Sequence, residues 1–417
     1  MLKDRDIVVF ALPRWDGVYE STSFTISKEL ARNNRVLYVD NPFTWKDVLT
    51  RLKSPQMKRR WRGFLPFSDG LIQYQEGEFA LAILVTTPVV PMNFLPAGPI
   101  YRYVSGWNHH IVGQRIKQAV KLLQFKNYIY INSWNFHYPD IDQYLMPELY
   151  VYHCVDSIIK PYNLRHGPAM EIRLARKSDL IISTARALQE KYAAYNSQSY
   201  FVPNAANFEL SSQALNSRTT IPNELQHVKK PIIGFFGHIE RRIDYELLIP
   251  IIQNHPEWTF AFVGPVDRVY FPAALEKMPN VKLTGAQPYA QMPNFLKAFD
   301  VAMIPFKVDD VSNTIYPLKL YEYLGAGKPV VVTPFNPDIL EQLVDVIYVA
   351  DTASNFEGAI VTALKENSQL KINARLDVAR ANTWEARGKE FSDLIERALN
   401  NIHDEYKIEQ LEELRSV

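Results

Sequence analysis

The sequence has 417 residues, of which 47% are apolar and 22% charged, and its net charge is +1. This length favours two domains, because a single hydrophobic core seldom serves so long a chain. The near-neutral charge gives no reason to expect nucleic acid as a partner. The single cysteine, Cys154, excludes an internal disulfide framework and indicates a reducing compartment.

The amino-terminal residues indicate a cytoplasmic protein. Residues 1–6 contain two aspartates, and the apolar run 7–12 has the length of a strand rather than of a signal-peptide core. No stretch reaches the roughly 18 apolar residues that a bilayer-spanning helix needs. We therefore expect neither a signal peptide nor a transmembrane segment.

Apolar runs alternate with amphipathic stretches along the first half of the chain, which is typical of parallel sheets with crossover helices. Strands are predicted at residues 7–12, 36–39, 81–85, 128–131, 149–153, 180–183 and 200–202. Helices are predicted at residues 21–32, 109–123, 168–177 and 185–195.

A polar stretch at 211–230 then interrupts the pattern, which restarts in the second half. Strands are predicted there at residues 232–236, 259–263, 281–283, 301–304, 330–332 and 346–349. Helices are predicted at residues 245–254, 289–299, 317–324 and 382–417. Two successive arrays of this kind indicate two Rossmann-like domains, whose ligands bind beyond the carboxyl ends of the strands.

Residues 317–333 combine a short helix, a glycine break and an apolar strand. Pro317 suits the first helical turn, where its missing N–H costs nothing, and Gly325 ends the helix. Lys319 and Glu322 are three residues apart, so both side chains can point to one side. The helix start offers unpaired N–H groups and a positive dipole end. This pattern favours a site in which the lysine neutralises phosphate and the glutamate accepts sugar hydroxyls.

The segment resembles the donor-binding motif of GT-B glycosyltransferases, especially family 4, in which a glutamate in a P-x-K-x-x-E-x-x-A-x-G-x-P-V-V helix holds the nucleotide ribose. The resemblance implies that Glu322 binds the ribose and that Lys319 stabilises the leaving diphosphate. The family often has a second glutamate eight residues earlier, where this chain has Thr314 beside Asn313. Either side chain can hydrogen-bond a sugar. The alternative is an ordinary α/β helix whose glutamate faces water.

Residues 234–244 follow the first predicted strand of the second half. The family has a Gly-Arg…Lys-Gly segment at this place, whose cations bind the donor diphosphate. The resemblance implies that Gly237 and His238, together with Arg241 or Arg242, are donor-binding residues, with the histidine in place of the family's arginine. The alternative is a solvated loop with a pair of arginines.

The run Tyr152-His-Cys-Val-Asp156 resembles the Y-D-C-V-D-D motif of bacterial exopolysaccharide glycosyltransferases. In the xanthan-type glucuronosyltransferase, an aspartate of the first domain is the catalytic base. Such a base is needed because the acceptor hydroxyl loses its proton as it attacks the anomeric carbon. Asp156 is therefore the candidate base, and the alternative is a capping role. Trp15 and His137 are candidates on the acceptor side, with a structural role as the alternative for the histidine.

Three further residues lie in weaker resemblances. Asn204 lies in a segment similar to the family's I-P-N-G-V-D-x-x-F motif, and we expect it to be a turn residue. Glu171 is expected to make a structural hydrogen bond. Trp384, in a run similar to the closing S-W-x-x-R helix of the family, is expected to be a core anchor.

Metal ions and cofactors are not expected. The nine histidines form no ligand pattern, and the sequence lacks a P-loop and the usual hydrolase motifs. The nucleotide-sugar is then a substrate. Lys319 and one arginine would supply the positive charge that stabilises the departing diphosphate.

Residues 51–67 contain six basic residues and no acidic one, interleaved with Trp61, Phe64, Leu65 and Phe67. Cations with interleaved aromatic residues suit an anionic membrane surface. A solvated basic loop is the alternative.

The resemblance implies an α/β protein of the GT-B fold, with two Rossmann-like domains whose parallel sheets face a cleft. The predicted boundaries are an acceptor-binding domain at 1–208, a linker at 209–230, a nucleotide-sugar-binding domain at 231–385 and a helical extension at 386–417. In GT-B enzymes that last helix crosses back towards the first domain.

The predicted function is that of a hexosyltransferase similar to bacterial exopolysaccharide and teichuronic acid glycosyltransferases. It would move a sugar from a nucleotide-sugar, with UDP the commoner nucleotide in the family, to a glycan or lipid-linked acceptor in cell-envelope synthesis. The alternatives are a nucleotide-sugar 2-epimerase of the same architecture and a non-enzymatic two-lobed sugar-binding protein. Family 4 enzymes retain anomeric configuration and the xanthan-type enzyme inverts it, so both outcomes stay open.

Overall fold

The computed structural model describes residues 2–17, 21–65 and 67–415, without the side chains of 405–415. The described chain forms two compact units. Unit 1 comprises Met1–Val202 and Arg387–Val417, and unit 2 comprises Pro203–Ala386. Residues 416 and 417, the end of the predicted last helix, lie outside the described part.

Unit 1 is an α/β unit in which helices follow most of the strands. Its strands are β1 Asp6–Ala11, β2 Arg35–Val39, β3 Leu71–Glu76, β4 Phe79–Leu84, β5 Ile129–Ser133, β6 Leu149–Cys154, β7 Leu180–Ser183 and β8 Ser199–Phe201. Its helices before residue 202 are α1 Thr22–Ala31, α2 Trp45–Arg51, α3 Pro55–Arg60, α4 Pro99–Leu122, α5 Asp142–Leu145, α6 Pro161–Leu164, α7 Gly167–Lys177 and α8 Arg186–Ala193. A 3₁₀ turn, Trp61–Phe64, directly follows α3.

The sheet of unit 1 has the strand order β3-β4-β2-β1-β5-β6-β7-β8. All neighbouring strands are parallel except β3 and β4, which pair antiparallel. The central strands are apolar runs buried along their whole length, as expected where helices cover both faces. The strand order reverses between β1 and β5, so their carboxyl ends are the expected place for a ligand.

Unit 2 repeats the βα alternation around a smaller sheet. Its strands are β9 Ile232–Phe236, β10 Thr259–Val263, β11 Val281–Gly285, β12 Val301–Ile304, β13 Val330–Val332 and β14 Tyr348–Val349. The helices from residue 203 onward are α9 Phe208–Ser212, α10 Asn223–Gln226, α11 Tyr245–Asn254, α12 Ala273–Glu276, α13 Met292–Ala298, α14 Leu318–Gly325, α15 Pro337–Leu343, α16 Ala353–Lys365, α17 Gln369–Ala381 and α18 Trp384–Arg415. Short 3₁₀ turns cover Gln213–Leu215, Tyr289–Gln291 and Ser312–Thr314.

The sheet of unit 2 is entirely parallel, with the order β11-β10-β9-β12-β13-β14. Its order reverses between β9 and β12. The segments that leave the carboxyl ends of these two strands therefore flank the place where a Rossmann-like sheet binds its ligand. The motif segments 234–244 and 317–333 both lie at this edge.

Parts of the chain differ from the sequence-based prediction. The stretch 209–230, predicted to be a linker, contains α10 and most of α9 and groups with unit 2. The helix predicted at 109–123 begins ten residues earlier, at Pro99. Strand β3 was not predicted, because its sequence LIQYQE is polar and half exposed at the sheet edge.

The last helix, α18, begins at Trp384 in unit 2 and continues into unit 1 from Arg387. Within unit 1 the Phe391 ring is fully buried and meets the His153 ring edge-on, at 5.0 Å between centroids. Among the described residues, no helix is both long enough and apolar enough to cross a membrane.

Candidate donor and acceptor sites

Helix α14 presents its first turn at the carboxyl edge of the unit 2 sheet. Pro317 is the N-cap residue, with extended backbone angles, and the helix ends at Gly325 as predicted. At the carboxyl end of the helix, Gly327 N donates to the Leu324 carbonyl at 2.9 Å and Lys328 N donates to the Tyr323 carbonyl at 3.0 Å. The segment thus has the predicted order of helix, glycine break and buried strand.

Lys319 lies between two aromatic rings at this helix start. Its Nζ is 4.2 Å from the Phe235 ring centroid and 4.9 Å from that of Phe306. Burial, and then the nearby Arg242, lower the pKa of Lys319 to about 7, while Glu322 acts to raise it. A lysine with this pKa can gain a proton when an anion arrives, which suits a phosphate-binding group.

Glu322 is buried, with 4% of its surface exposed, so the alternative of a glutamate facing water is wrong. Its Oε1 accepts a hydrogen bond of 2.7 Å from the Tyr289 hydroxyl. On the next residue of the helix, the Tyr323 hydroxyl accepts from the backbone N of Phe236 at 2.7 Å and donates to its carbonyl at 3.2 Å. Helix α14 is therefore fixed to the end of β9, where the neighbouring loop begins.

The loop after β9 is built for close backbone approach. Gly237 has φ 141°, and a Cβ at this position would come within 3.0 Å of Lys319 Nζ. A Cβ on Gly264, which has φ 144°, would stand 1.9 Å from the Gly237 carbonyl oxygen. Only residues without a side chain let these backbones approach each other and the lysine ammonium. The sequence analysis singled out Gly237 but not Gly264. A glycine is required at position 264 because the pairing of β9 with β10 brings its backbone against the Gly237 carbonyl.

The polar residues of this loop have different surroundings. His238 is exposed as a whole residue, but partial desolvation of its imidazole lowers its pKa. Arg242 forms an ion pair with Glu240, and its guanidinium lies 5.7 Å from the Phe306 ring centroid. Arg241 is half-buried. Burial acts to raise the pKa of Asp309, but hydrogen bonds with Ser312 and the charge of Arg241 lower it. Both arginines are thus part of a structured loop rather than a solvated pair.

Asn313 and Thr314 lie in the 3₁₀ turn that precedes α14, and both are half-buried. The Thr314 hydroxyl donates to the Val311 carbonyl at 2.7 Å. Its oxygen keeps the ability to accept a hydrogen bond from a ligand. Their predicted contact with the sugar stays a prediction.

In unit 1, Asp156 lies two residues beyond the carboxyl end of β6, as the sequence indicated. Its Oδ1 accepts a hydrogen bond of 2.8 Å from the Ser157 N–H. His137 follows β5, and its ring lies 4.5 Å from that of Phe136, while burial lowers its pKa to about 4. A histidine with this pKa is neutral at pH 7, so it can accept or donate a hydrogen bond without charge.

Trp15 follows the carboxyl end of β1 and lies beside a buried ion cluster. Arg60 Nη2 is 2.6 Å from Asp16 Oδ1, and Arg60 Nε is 2.6 Å from Asp40 Oδ2. Burial raises the pKa of Asp40. Burial acts in the same direction on Asp16, but the hydrogen bond and charge of Arg60 lower the pKa of that carboxyl. The Trp15 ring lies 5.5 Å from the Arg60 guanidinium and edge-on to Tyr74.

This cluster corrects the interpretation of residues 51–67. Arg60 is completely buried, so it is not one of the exposed cations of that segment. Phe64 is partly buried and packs against the small cluster of Phe43, Val48 and Met57. Trp61, by contrast, is 53% exposed, and Lys58, Arg59 and Arg62 are also exposed. Pro66 lies outside the described residues.

Three structural roles predicted from the sequence are confirmed or refined. Glu171 accepts a hydrogen bond of 2.9 Å from the buried Tyr152 hydroxyl, as expected of a structural residue. Trp384 is 4% exposed, which confirms a core position. Asn204 is also buried, and its amide donates to the Tyr316 carbonyl at 2.7 Å, so it ties the start of unit 2 to the segment before α14.

Tyr289 and Glu240 were missed by the sequence analysis. Tyr289 is 33 residues away in sequence from Glu322, whose carboxylate it contacts. Glu240, the ion-pair partner of Arg242, lies in a loop in which only the arginines matched the family pattern. Within the described part of the chain, no group of three or more His, Cys, Asp or Glu side chains is placed to hold a metal ion.

Comparison with known proteins agrees with this arrangement. Residues 230–366 match the family model described as glycosyl transferases group 1. The chain is 28% identical over 238 residues to the putative teichuronic acid biosynthesis glycosyltransferase TuaH of Bacillus subtilis strain 168. That match covers 55% of this chain, and the chain spans only 59% of the length of that relative.

Solved structures match over nearly the whole chain. Sucrose-phosphate synthase from Thermosynechococcus elongatus is similar with a TM-score of 0.63 at 14% identity, covering 95% of this chain and 100% of that one. HepE of Anabaena, solved in complex with UDP, is similar with a TM-score of 0.62 at 13% identity, covering 94% and 100%.

The predicted GT-B fold is therefore confirmed, and so is the resemblance to GT-B glycosyltransferases of the bacterial exopolysaccharide and teichuronic acid type. The family model and the Bacillus relative both support the predicted class of enzyme, a glycosyltransferase.

Proposed function

We propose that this protein transfers a hexose from a UDP-sugar to a glycan or lipid-linked acceptor in the synthesis of a cell-envelope polysaccharide. The observation that carries the proposal is the pairing of Lys319 and Glu322 in the first two turns of α14. The lysine ammonium lies against the glycine loop after β9, and the glutamate carboxylate is buried and held by Tyr289. A cation and a carboxylate placed side by side suit a ligand with both phosphates and ribose hydroxyls.

In this proposal, Lys319 and one of Arg241 and Arg242 stabilise the negative charge that develops on the departing diphosphate. Positioned cations at such a site can supply much of the transition-state stabilisation. No metal ion is needed for this role, so we infer that the reaction proceeds without one. Gly237 and His238 would line the phosphates, and Asn313 and Thr314 would contact the sugar.

On the acceptor side, Asp156 would remove the proton of the attacking hydroxyl. Its position beyond β6 lies at the ligand-binding edge of the unit 1 sheet. Trp15 and His137, beyond β1 and β5, would help to bind the acceptor. An aromatic ring beside a sugar and a neutral imidazole near its hydroxyls are both suited to carbohydrate.

UDP is supported as the nucleotide by the HepE neighbour, whose structure contains UDP. An envelope polysaccharide is supported by the teichuronic acid relative. We infer a cytoplasmic enzyme that works at the inner face of the plasma membrane, because a lipid-linked acceptor would be located there. The exposed cations of residues 51–67 support peripheral attachment, with Arg60 and Phe64 now excluded from the attaching group.

The reaction can be tested with the purified protein and radiolabelled UDP-sugars, with and without a lipid extract that contains polyprenol-linked acceptors. The proposal predicts that label passes to an acceptor only when both are present. Isomerisation of the donor when it is incubated alone would indicate an epimerase instead. Binding of sugar without turnover of any donor would favour a non-enzymatic sugar-binding protein.

A further inference from the structure

Helix α4 exposes an apolar stripe that the proposed reaction does not use. Ile100, Tyr103 and Trp107 are 69%, 75% and 55% exposed. Their spacing of three and four residues places them on one side of the helix. The other side, including Val112 and Ile116, is fully buried in the core of unit 1. The stripe therefore belongs to a firmly packed helix and is not the result of fraying.

The stripe adjoins the exposed apolar residues of α2 through residues 89 and 90. Trp45 N donates to the Val89 carbonyl at 2.9 Å. The Asn108 side chain accepts a hydrogen bond of 3.0 Å from the Val90 N–H and donates one of 2.8 Å to the Val90 carbonyl. Val90 is itself 38% exposed. Trp45 and the neighbour of Trp107, Asn108, are thus hydrogen-bonded to adjacent residues of one segment.

The 3₁₀ turn after α3 is fixed to the same helix. Arg115, on α4, donates to the Gly63 carbonyl at 3.3 Å. Trp61, two residues before Gly63, is 53% exposed, and Leu49 on α2 is 72% exposed. We call the surface formed by Trp45, Leu49, Trp61, Ile100, Tyr103 and Trp107 the docking face. Such a group of exposed apolar side chains on one unit is unusual for a surface that meets only water.

The charge around the docking face is mostly positive, although the exposed Asp69 lies near Arg115. The sequence contains no Asp or Glu at positions 48–68 or 79–139. Exposed cations in the first of these stretches include Lys53, Lys58 and Arg62. Asp47, which borders the face, is occupied in the capping box of α2 with Thr44. The charge therefore favours an anionic partner.

We propose that the docking face lies on an anionic bilayer, with the exposed apolar side chains of α4 inserted among the lipid headgroups and the exposed cations of residues 51–67 bound to phosphates. Tryptophan and tyrosine prefer this interface because their rings are apolar and carry one polar group. A second copy of the chain is disfavoured because a symmetric contact would bring like charges together. The inference rests on the proposed function only in that a lipid-linked acceptor gives the surface its purpose.

The test is cosedimentation of the full chain with phosphatidylcholine vesicles that contain phosphatidylglycerol. Replacing Ile100, Tyr103 and Trp107 together by Ser should lower the partition coefficient by about tenfold or more at every salt concentration, since the apolar insertion is lost. Replacing Lys53, Lys58 and Arg62 by Gln should weaken binding mainly at low salt. Raising salt from about 0.1 M to about 1 M shortens the Debye length from about 10 Å to about 3 Å, which removes most of that contribution.

The matched control replaces Leu122 and Leu370 by Ser, since these leucines are 60% and 80% exposed but lie outside the docking face. It should bind vesicles like the wild type. Circular dichroism and affinity for UDP, measured by calorimetry, report whether each variant is folded. The inference would be overturned if the wild type failed to sediment at low salt, or if the Ser variant bound like the control.

Two further outcomes would assign the docking face differently. A concentration-dependent dimer that the Ser variant abolishes, without vesicle binding, would assign it to a second copy. Vesicle binding by a wild type that neither binds UDP nor turns over a donor would overturn the proposed reaction and leave the docking inference standing.

Discussion

The Tyr289 hydroxyl donates a hydrogen bond of 2.7 Å to Oε1 of Glu322, across 33 residues of sequence. The tyrosine comes from the turn before α13, and the glutamate from the first turns of α14. This contact holds the carboxylate in one orientation before any ligand arrives. A carboxylate positioned in advance loses less conformational freedom when it accepts hydroxyl groups.

Replacing Glu322 by Ala should weaken UDP binding by about 1.5–3 kcal/mol, the usual contribution of a hydrogen bond to a charged group. Calorimetry with UDP measures the change. The exposed Glu341→Ala on α15 would serve as a control for loss of one negative charge. Unchanged UDP affinity in a folded Glu322 variant would remove the ribose assignment.

Tyr289→Phe deletes one hydroxyl and keeps the ring. We expect a smaller loss of UDP affinity, about 0.5–1.5 kcal/mol, because the carboxylate remains but is less well oriented. In the Glu322→Ala background the same change should have almost no effect on UDP affinity, because the hydroxyl has lost its partner. Additive losses in the double variant would mean that Tyr289 acts on the ligand independently of Glu322.

Binding of UDP should depend on pH through Lys319. Its pKa of about 7 means that the amine is partly neutral in the free protein at neutral pH, and a bound diphosphate favours the protonated form. UDP affinity should therefore fall as the pH rises through 7, with uptake of up to about one proton. Calorimetry in buffers of different ionisation enthalpy measures this uptake. Lys319→Met should abolish it, and uridine, which lacks phosphates, should bind without it.

The same lysine predicts a change in the stability of the ligand-free protein. Since burial lowers its pKa from 10.5 to about 7, the unfolded chain binds more protons between these values, and the free energy of unfolding contributed by this group rises with pH across that window. Lys319→Met should therefore be more stable than wild type at pH 6, and the difference should shrink towards pH 10. Urea denaturation at several pH values measures it. A constant difference would mean that the lysine is not desolvated.

Asp156→Asn keeps the shape of the side chain and removes its basicity. Sugar transfer should fall by about 10²–10⁴-fold while UDP affinity is unchanged, as expected for loss of a general base. Steady-state transfer assays together with calorimetry separate the two quantities. Near-normal transfer would return Asp156 to a capping role.

Arg60 and Arg62 should respond very differently to the same substitution. Arg60→Gln leaves the buried Asp40 without its ion-pair partner and Asp16 with Arg59 alone, and the loss of one partner of a buried ion pair destabilises a protein by about 3–5 kcal/mol. Arg62→Gln changes an exposed residue and should alter stability by less than about 0.5 kcal/mol. Urea denaturation compares them. Equal effects would contradict the structural account of this segment.

Buried strands were the elements that the sequence predicted best. The runs at β9, β10 and β12 are almost wholly apolar, and their bounds were predicted to the residue, because every residue there is buried. Strand β3 has no such signal, since it pairs only with β4 at the sheet edge. Helices α16 and α17, which contact β13 and α14, were also not predicted.

The site was predictable where one segment carries several of its residues. Lys319 and Glu322 share one helix turn, so their common orientation follows from the helical repeat. Contacts between distant segments left no such pattern. Tyr289 reaches Glu322 only in the folded chain, and Arg60 appeared to be an exposed cation because Asp16 and Asp40 are 44 and 20 residues away.

Helix α18 has a consequence for the order in which the protein folds as it is made. Gly388 packs so closely on α1 that a Cβ there would come within 2.6 Å of the Glu29 Cβ, and the His403 ring contacts Glu148 at 2.9 Å. The unit that is translated first therefore lacks part of its own packing until everything between residues 203 and 386 has been synthesised. A ribosome-bound chain that ends at residue 386 should expose the surface that α18 covers until the last helix emerges.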